Sequence, residues 1–307
     1  MKNALLMIPL ASLFWASSTY ANPLDLSQVS DDANWLMHVD FDSTRNSVIG
    51  SFILEEFEAK PEAVERMAAM TTTFGVDPKA FSNLTMFGNG EHKKGIAIMK
   101  GGLDAEKLIA FAKLNKTLET SQAGKHEIHS LNRDKRHPVA FATLNNNVIV
   151  GGPNAGLVSR GIKLVRGKAP SRDPIGLLGE LRQVIEKPGF ISYVDIVKAS
   201  KFHDLDKHGA AMMKKAHSAG MAMGEADGEL KIVAIIKAND EETATQLENM
   251  ARGALAMAAL GKESNPRLAN ILESQKVSRN GNTVTVQIGL AIETIKEAIE
   301  REMEKHI

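Results

Sequence analysis

Cysteine is absent from the 307-residue sequence. This absence excludes disulfide bonds, thiolate zinc sites, iron–sulfur clusters, cysteine nucleophiles and a lipid-modified N-terminal cysteine. Aromatic residues are scarce, at 5%, and beyond the N-terminal segment Trp and Tyr are represented only by Trp35 and Tyr193. This scarcity argues against a sugar cleft with aromatic platforms. It also argues against a single-stranded nucleic-acid surface, where bases stack on aromatic rings.

An excess of charge of one sign is also missing, because 37 Lys and Arg residues balance 37 Asp and Glu residues. No overall charge therefore draws the chain toward nucleic acid. The composition, 43% hydrophobic and 24% charged, is typical of a soluble globular protein. No apolar run after the N-terminus approaches the roughly 20 residues of a membrane-spanning helix. We therefore expect no transmembrane segment in the mature chain.

The N-terminus has the pattern of a secretory signal peptide. Lys2 supplies the positive charge, Ala4–Ala16 is apolar, and small residues precede Ala21. The apolar stretch is too short for a permanent membrane span. We predict cleavage after Ala21 and a mature protein in the periplasm or outside the cell.

Two parts of the chain repeat the same order of predicted elements. Each begins with a strand, at Trp35–Phe41 and at Phe190–Asp195, followed by a helix, at 43–70 and at 200–218. Each helix leads to a hairpin with a tight turn, which Gly favours because it accepts positive φ. The two turns are Asn89-Gly90 and Asp227-Gly228.

Each half then continues with a helix, a second hairpin and a closing helix. Asp104 and Asp240 precede the middle helices and suit an N-cap. The first half adds one strand near His126–Leu131. The shared order β-α-ββ-α-ββ-α predicts an α+β fold, with an antiparallel sheet in each half and helices packed on one face. A single continuous sheet made from both halves is the alternative.

These patterns divide the chain at two places after the signal peptide. A polar leader precedes the first strand, and a segment with two prolines separates the halves. The predicted divisions are signal peptide 1–21, leader 22–34, first half 35–168, linker 169–174 and second half 175–307.

Three local motifs resemble those of a family of secreted bacterial α+β proteins with no known activity. The first is the Trp-x-x-His-x-Asp strand formed by Trp35, His38 and Asp40, and the others are Phe74–Pro78 and the hairpin at Asn280–Val284. The resemblance extends over most of the mature chain. It implies a secreted α+β protein and supplies no catalytic residues.

The strongest candidate for a metal site is His38, Asp40 and Asp42. Strand alternation places these three side chains on one face, and an imidazole with two carboxylates suits a divalent ion. The alternative is structural, because a carboxylate between a strand and a helix caps free N–H groups. Aligning the halves matches Asp40 with Asp195 but His38 with Tyr193, which favours the structural role.

Other candidate motifs match their chemistry poorly. His126 and His129 are one residue short of a His-Glu-x-x-His site and lie in a predicted strand, which separates them. The segment Gly151–Gly156 joins a strand to a helix but lacks the glycine spacing of a phosphate-binding loop. A further cluster consists of His203, Asp204, Asp206 and His208, where the carboxylates suit a helix N-terminus. No cofactor is predicted.

Positive charge is concentrated between Gly124 and Arg172, where nine Lys or Arg residues face two acidic ones, a net charge of about +7. The predicted helix 154–165 is amphipathic, with Arg160 and Lys163 opposite its apolar side and Arg166 just beyond. These three residues are the candidates for binding an anion. The alternative is a solvated face balanced by acidic segments of the same fold.

These observations favour an exported, non-enzymatic protein that binds or scaffolds an unknown protein or envelope component. A binding site is expected in the cleft between the two halves, since pockets favour such junctions. One alternative is a metal-dependent or carboxylate-based hydrolase of the envelope. The other is a protein that binds anionic lipid, an acidic polymer or an acidic partner through residues 124–172.

Overall fold

The protein is described here as a computed structural model. The structure describes residues 23–91, 94–114, 118–131, 138–144, 147–199, 215–260 and 274–304. The predicted signal peptide lies outside these residues, as do the His203–His208 cluster and most of the helix predicted at 200–218. No helix in the described part of the chain is long and apolar enough to cross a membrane.

The first half begins with a strand and a run of short helices, followed by six strands and two further helices. The strands are β1 (Trp35–Asp40), β2 (Val76–Gly88), β3 (Gly95–Leu103), β4 (Leu118–Ala123), β5 (His126–Leu131), β6 (Val139–Leu144) and β7 (Val148–Gly152). The helices are α1 (Phe41–Arg45), α2 (Val48–Glu58), α3 (Pro61–Ala69), α4 (Ala105–Leu114) and α5 (Ala155–Val165), with a π-helical turn at Met70–Phe74.

The second half begins with an additional helix and then follows the same order with fewer strands. Its strands are β8 (Phe190–Asp195), β9 (Ala216–Ala226), β10 (Glu229–Ala238), β11 (Lys276–Asn280) and β12 (Thr283–Ala291). Its helices are α6 (Gly176–Val184), α7 (Ile196–Ala199), α8 (Glu241–Leu260) and α9 (Ile292–Glu304).

The α+β class and the antiparallel pairing are confirmed, and the two halves share one sheet. Its twelve described strands run in the order β11-β12-β10-β9-β8-β1-β2-β3-β7-β6-β5-β4. From the centre outward, β8-β9-β10-β12-β11 in one half matches β1-β2-β3-β7-β6 in the other. The hairpin β4–β5 is the extra part of the first half, which therefore gains two strands where one was predicted.

The halves meet where β1 pairs with β8. The pairing is antiparallel and places Met37 opposite Ser192, which are equivalent residues when Asp40 is matched with Asp195. The sheet is thus nearly symmetric about a two-fold axis through this pair. The backbone bonds agree with that symmetry. Asp40 N donates to Gly189 O at 2.8 Å, and Asp195 N donates to Asn34 O at 2.7 Å.

Helices cover both faces of this sheet, where one covered face per half was expected. Buried side chains of β1, β3, β7, β8 and β10 on one face pack with α5 and α6 into a core that includes both halves. Alternate residues of the same strands point the other way, toward α2, α4 and α8. The predicted leader contributes Leu24 and Val29 to the first face, where both are buried.

Local signals explain most element boundaries. The helix predicted at 43–70 is divided because Asn46 and Ser47 end α1 and cap α2, and Pro61 starts α3. Pro suits the first helical turn, which needs no N–H donor there. The turn Asp227-Gly228 has positive φ at both residues, 54° and 77°, as a two-residue hairpin requires.

Candidate functional site

Asp40 and Asp195 end the two central strands and cap the helices that follow. Asp40 Oδ1 accepts a hydrogen bond from Ser43 N at 2.8 Å, and Asp195 Oδ1 accepts one from Lys198 N at 3.1 Å. Both carboxylates are buried. Equivalent residues in the two halves therefore have the same structural role, as the comparison of the halves suggested.

The structure separates the three metal-site candidates. The strand ends at Asp40, so Asp42 lies in the first turn of α1 and not on the strand face with His38. Asp42 pairs with Arg45 at 2.7 Å, and the buried His38 has its Nδ1 atom 2.9 Å from Thr85 Oγ1. Among the residues that the structure describes, no three His, Asp or Glu side chains form a group suited to a metal ion.

A cavity of about 560 Å³ lies at the junction of the two halves. It is bounded by α1 and α2 on one side and by β1, β8, β9 and β10 on the other, and we call it the junction groove. Its apolar lining residues are Val39, Phe41, Ile49, Ile53, Phe190, Met223 and Leu230. Ile49 and Ile53 are four residues apart in α2, so they share the helix face that covers the groove.

A residue of the second half holds α2 over the groove. The Glu225 carboxylate, on β9, accepts hydrogen bonds from Val48 N and Ile49 N, both at 2.7 Å. A negative charge at a helix N-terminus is stabilising because the first N–H groups lack partners within the helix. The position of α2 over the groove is thus fixed in part by two hydrogen bonds between the two halves.

The walls of the groove are mostly apolar, with polar side chains at Ser43, Thr44, Asn46 and Ser47, and its charged groups are few. Lys187 and Glu225 are the only charged residues that line it in the described part of the chain. Glu225 is bound to the N-terminus of α2, whereas Lys187 is an exposed cation. This arrangement suits an apolar body with an anionic end. The same two charged residues alone do not make a constellation for acid–base or nucleophilic chemistry.

Arg160, the first anion-binding candidate, already has anionic partners. Its guanidinium contacts Asp32 at 2.9 Å and Asp31 at 3.3 Å, both in the segment before β1. Burial raises the pKa of Asp32, but hydrogen bonds from Arg160 and Ser30 outweigh this and hold the pKa below its ordinary value. Lys163 is exposed and Arg166 half-buried.

The remaining sequence motifs do not converge on the groove. His129 is buried in β5 with its Nδ1 atom 3.1 Å from Thr120 Oγ1, and burial lowers the pKa of its imidazole. His126 faces the other side of the strand. Asn154 Oδ1 accepts a hydrogen bond from Leu157 N at 3.0 Å and so caps α5. This cap explains the turn that follows Gly151 and Gly152, and the turn requires no bound phosphate.

Sequence reasoning missed the groove residues themselves. Met221 and Met223 alternate along β9 and are 39% and 38% exposed. Phe190 and Leu230 look like ordinary strand residues. The expectation of a pocket between the halves was the only sequence signal for this site, because the lining comes from segments far apart in the chain.

The fold resembles that of a solved protein, TP0453. Its crystal form III has a TM-score of 0.51 to this chain at 8% identity, covering 90% of this chain and 98% of that one. Crystal form I has a TM-score of 0.48 at 9% identity, with 91% and 97% covered. At such low identity the likeness concerns the fold alone. No protein-family model and no curated protein matches the sequence.

Proposed function

We propose that this chain is an exported, non-enzymatic binding protein that holds an amphiphile in the junction groove. The observation that carries the proposal is the apolar cavity of about 560 Å³ between the halves. Cavities of roughly 300–1,000 Å³ with apolar walls and few polar groups are typical of small-molecule sites. The export rests on the sequence pattern of residues 1–21.

The chemistry of the lining defines the class of ligand. Apolar side chains on α2 and on the central strands would cover a hydrocarbon chain, which gains free energy on leaving water. Lys187, an exposed lining residue, would pair with a carboxylate or phosphate head group. A ligand with a cationic head is disfavoured because Glu225, the one carboxylate among the described lining residues, already caps α2.

A titration with dodecanoate tests the proposal, using protein labelled with ¹³C at the methionine methyl groups. We expect the Met223 methyl resonance to shift and saturate, because Met223 lines the groove. Ile53→Glu should weaken binding about tenfold or more, since it places a negative charge on the wall. Ile53 is 46% exposed, so the substitution should leave the fold intact.

Val64→Glu is the matched control, since Val64 on α3 is similarly exposed, at 41%, and lies outside the groove. Equal binding by wild type and Ile53→Glu would contradict the proposal. Conversion of a bound ester of the same chain length into products would instead favour the hydrolase alternative.

Binding of an anionic lipid or acidic partner through Arg160, Lys163 and Arg166 stays a separate prediction. Since Asp31 and Asp32 engage Arg160, this surface offers a partner mainly the other two cations. Its test is binding to anionic vesicles. The binding should weaken as salt screens the charges and should be lost when all three residues are changed to Glu.

A further inference from the structure

A second cavity lies under α4, on the same face of the sheet as the junction groove but three strands away from β8. It has a volume of about 670 Å³ and lies between α4 and strands β3, β6 and β7. We call it the α4 cavity. None of its lining residues lines the junction groove, because β2 separates the two along the sheet.

The two faces of these strands are packed very differently. On one face, α5 lies so close that a Cβ added at Gly161 would be 2.4 Å from Val150 Cγ1. On the other face, α4 packs against β4 and the π-helical turn and stands away from β3 and β7. Ala112 is its one buried residue among those described. The cavity exists because the sheet has small residues beneath α4, namely Ala97 and Gly151, which are paired across β3 and β7.

The lining is apolar among the residues that the structure describes. These are Ala, Gly, Leu, Ile, Val, Met and Phe residues, and none of them has a titratable side chain. A charged group placed there would lose its hydration without gaining a partner, which is strongly unfavourable. The α4 cavity therefore selects against the anionic head group that suits the junction groove.

Two of the lining side chains are exposed to solvent. Phe111 is 44% exposed and Val139 is 47% exposed. The Phe74 ring stacks edge-on against Phe111, with 5.2 Å between centroids and an angle of 84°. Exposed apolar side chains that line an apolar cavity can become buried against a bound ligand, which removes apolar surface of both from water.

We propose that the α4 cavity is a second binding site, specific for an uncharged apolar molecule of drug-like size. The volume lies within the range of small-molecule sites. An apolar cavity offers water no hydrogen-bond partners, so water fills it poorly. An aromatic or branched hydrocarbon body would contact Met99, Phe141 and Phe111 at once.

The test uses the full chain and the neutral fluorescent probe N-phenyl-1-naphthylamine, with ¹³C-labelled methionine methyl groups. We expect the Met99 methyl resonance to shift and saturate with the probe, because Met99 lines the α4 cavity. Dodecanoate should leave Met99 unchanged and move Met223. The two methyl groups therefore report the two sites separately, and failure at one site does not imply failure at the other.

Gly151→Leu fills the cavity from its floor. A Cβ at Gly151 would have its nearest neighbours at 3.9 Å, so the Cβ fits without a clash and the rest of the side chain would occupy the cavity. We expect the Met99 response to fall at least tenfold in apparent affinity while the melting temperature stays equal or rises. Gly253→Leu on α8, where a Cβ meets nothing within 4 Å, is the matched control and should bind as wild type.

Two outcomes would overturn the proposal. One is a Met99 resonance that does not move at probe concentrations that raise the fluorescence. The other is full binding by Gly151→Leu. If that variant does not fold, Ala97→Leu, which fills the same space from β3, is measured in its place and interpreted by the same criteria.

Discussion

Asp40 and Asp195 have equivalent roles, so their substitution should have similar effects. Loss of an N-cap side chain costs about 1 kcal/mol, and here each carboxylate is buried at a strand end. We expect Asp40→Ala and Asp195→Ala each to lower the free energy of unfolding by about 1–2 kcal/mol. The Asn variants, which keep an acceptor, should lose less. Urea denaturation measures this, and an Asn variant as unstable as its Ala counterpart would refute capping as the cause.

His129 should make stability fall in mild acid. Burial lowers the pKa of its imidazole in the folded state below the ordinary value of 6.5. The unfolded chain then binds a proton more readily than the folded chain. Stability contributed by neutral His129 is present above pH 6.5 and is lost as the pH falls toward the folded-state pKa. The free energy of unfolding, measured between pH 7.5 and 5.5, should depend less steeply on pH in His129→Gln than in the wild type. An unchanged slope would show that protonation of His129 is not the cause.

The cap that Glu225 places on α2 governs the cover of the junction groove. In Glu225→Gln only the side-chain carbonyl oxygen can accept a hydrogen bond, so one of the two N–H groups of Val48 and Ile49 loses its acceptor. A hydrogen bond to a charged group contributes roughly 1.5 kcal/mol or more. We expect the amides of Val48 and Ile49 to exchange about tenfold faster, with weaker dodecanoate binding. Glu242→Gln, at an exposed position of α8, is the control. Unchanged exchange in Glu225→Gln would show that α2 is held by its apolar contacts alone.

Arg160 ties α5 to the segment before β1. Its pairs with Asp31 and Asp32 are partly exposed, and exposed ion pairs contribute up to about 1 kcal/mol. Arg160→Ala should therefore lower the free energy of unfolding by up to about 1 kcal/mol at low salt and by less at high salt. Lys163→Ala should change it by less than about 0.5 kcal/mol. Equal effects would mean that the ion pairs stabilise nothing.

At the scale of elements, the sequence predicted best where the signal is local. The strand β5, the caps Asp104 and Asp240, and the Asp227-Gly228 turn follow from periodicity and turn chemistry within a few residues. The strand β4 and the helix α6 were missed. β4 is an edge strand with mostly exposed residues and so lacks apolar alternation. The sequence predicted that a pocket lies between the two halves but not which residues line it. The lining depends on how segments far apart in the chain are arranged.

The whole molecule should unfold as one unit, because the larger of its two core clusters includes residues of both halves. Separating the halves would expose the edge of β1, whose N–H and C=O groups need partners. We expect residues 23–168 expressed alone to self-associate, with β1 of two copies paired about Met37. Light scattering after size-exclusion chromatography measures this. A stable monomer would contradict it.

The symmetry centred on Met37 and Ser192 also bears on the origin of the protein. A chain of half this length, whose β1 paired with β1 of another copy, would form a closed two-fold homodimer with two equivalent grooves. Duplication and fusion of its gene would give the present topology, with each copy then free to diverge. Glu225 and Lys187 lie in the second half and α2 in the first, so the groove is built from contributions of both halves.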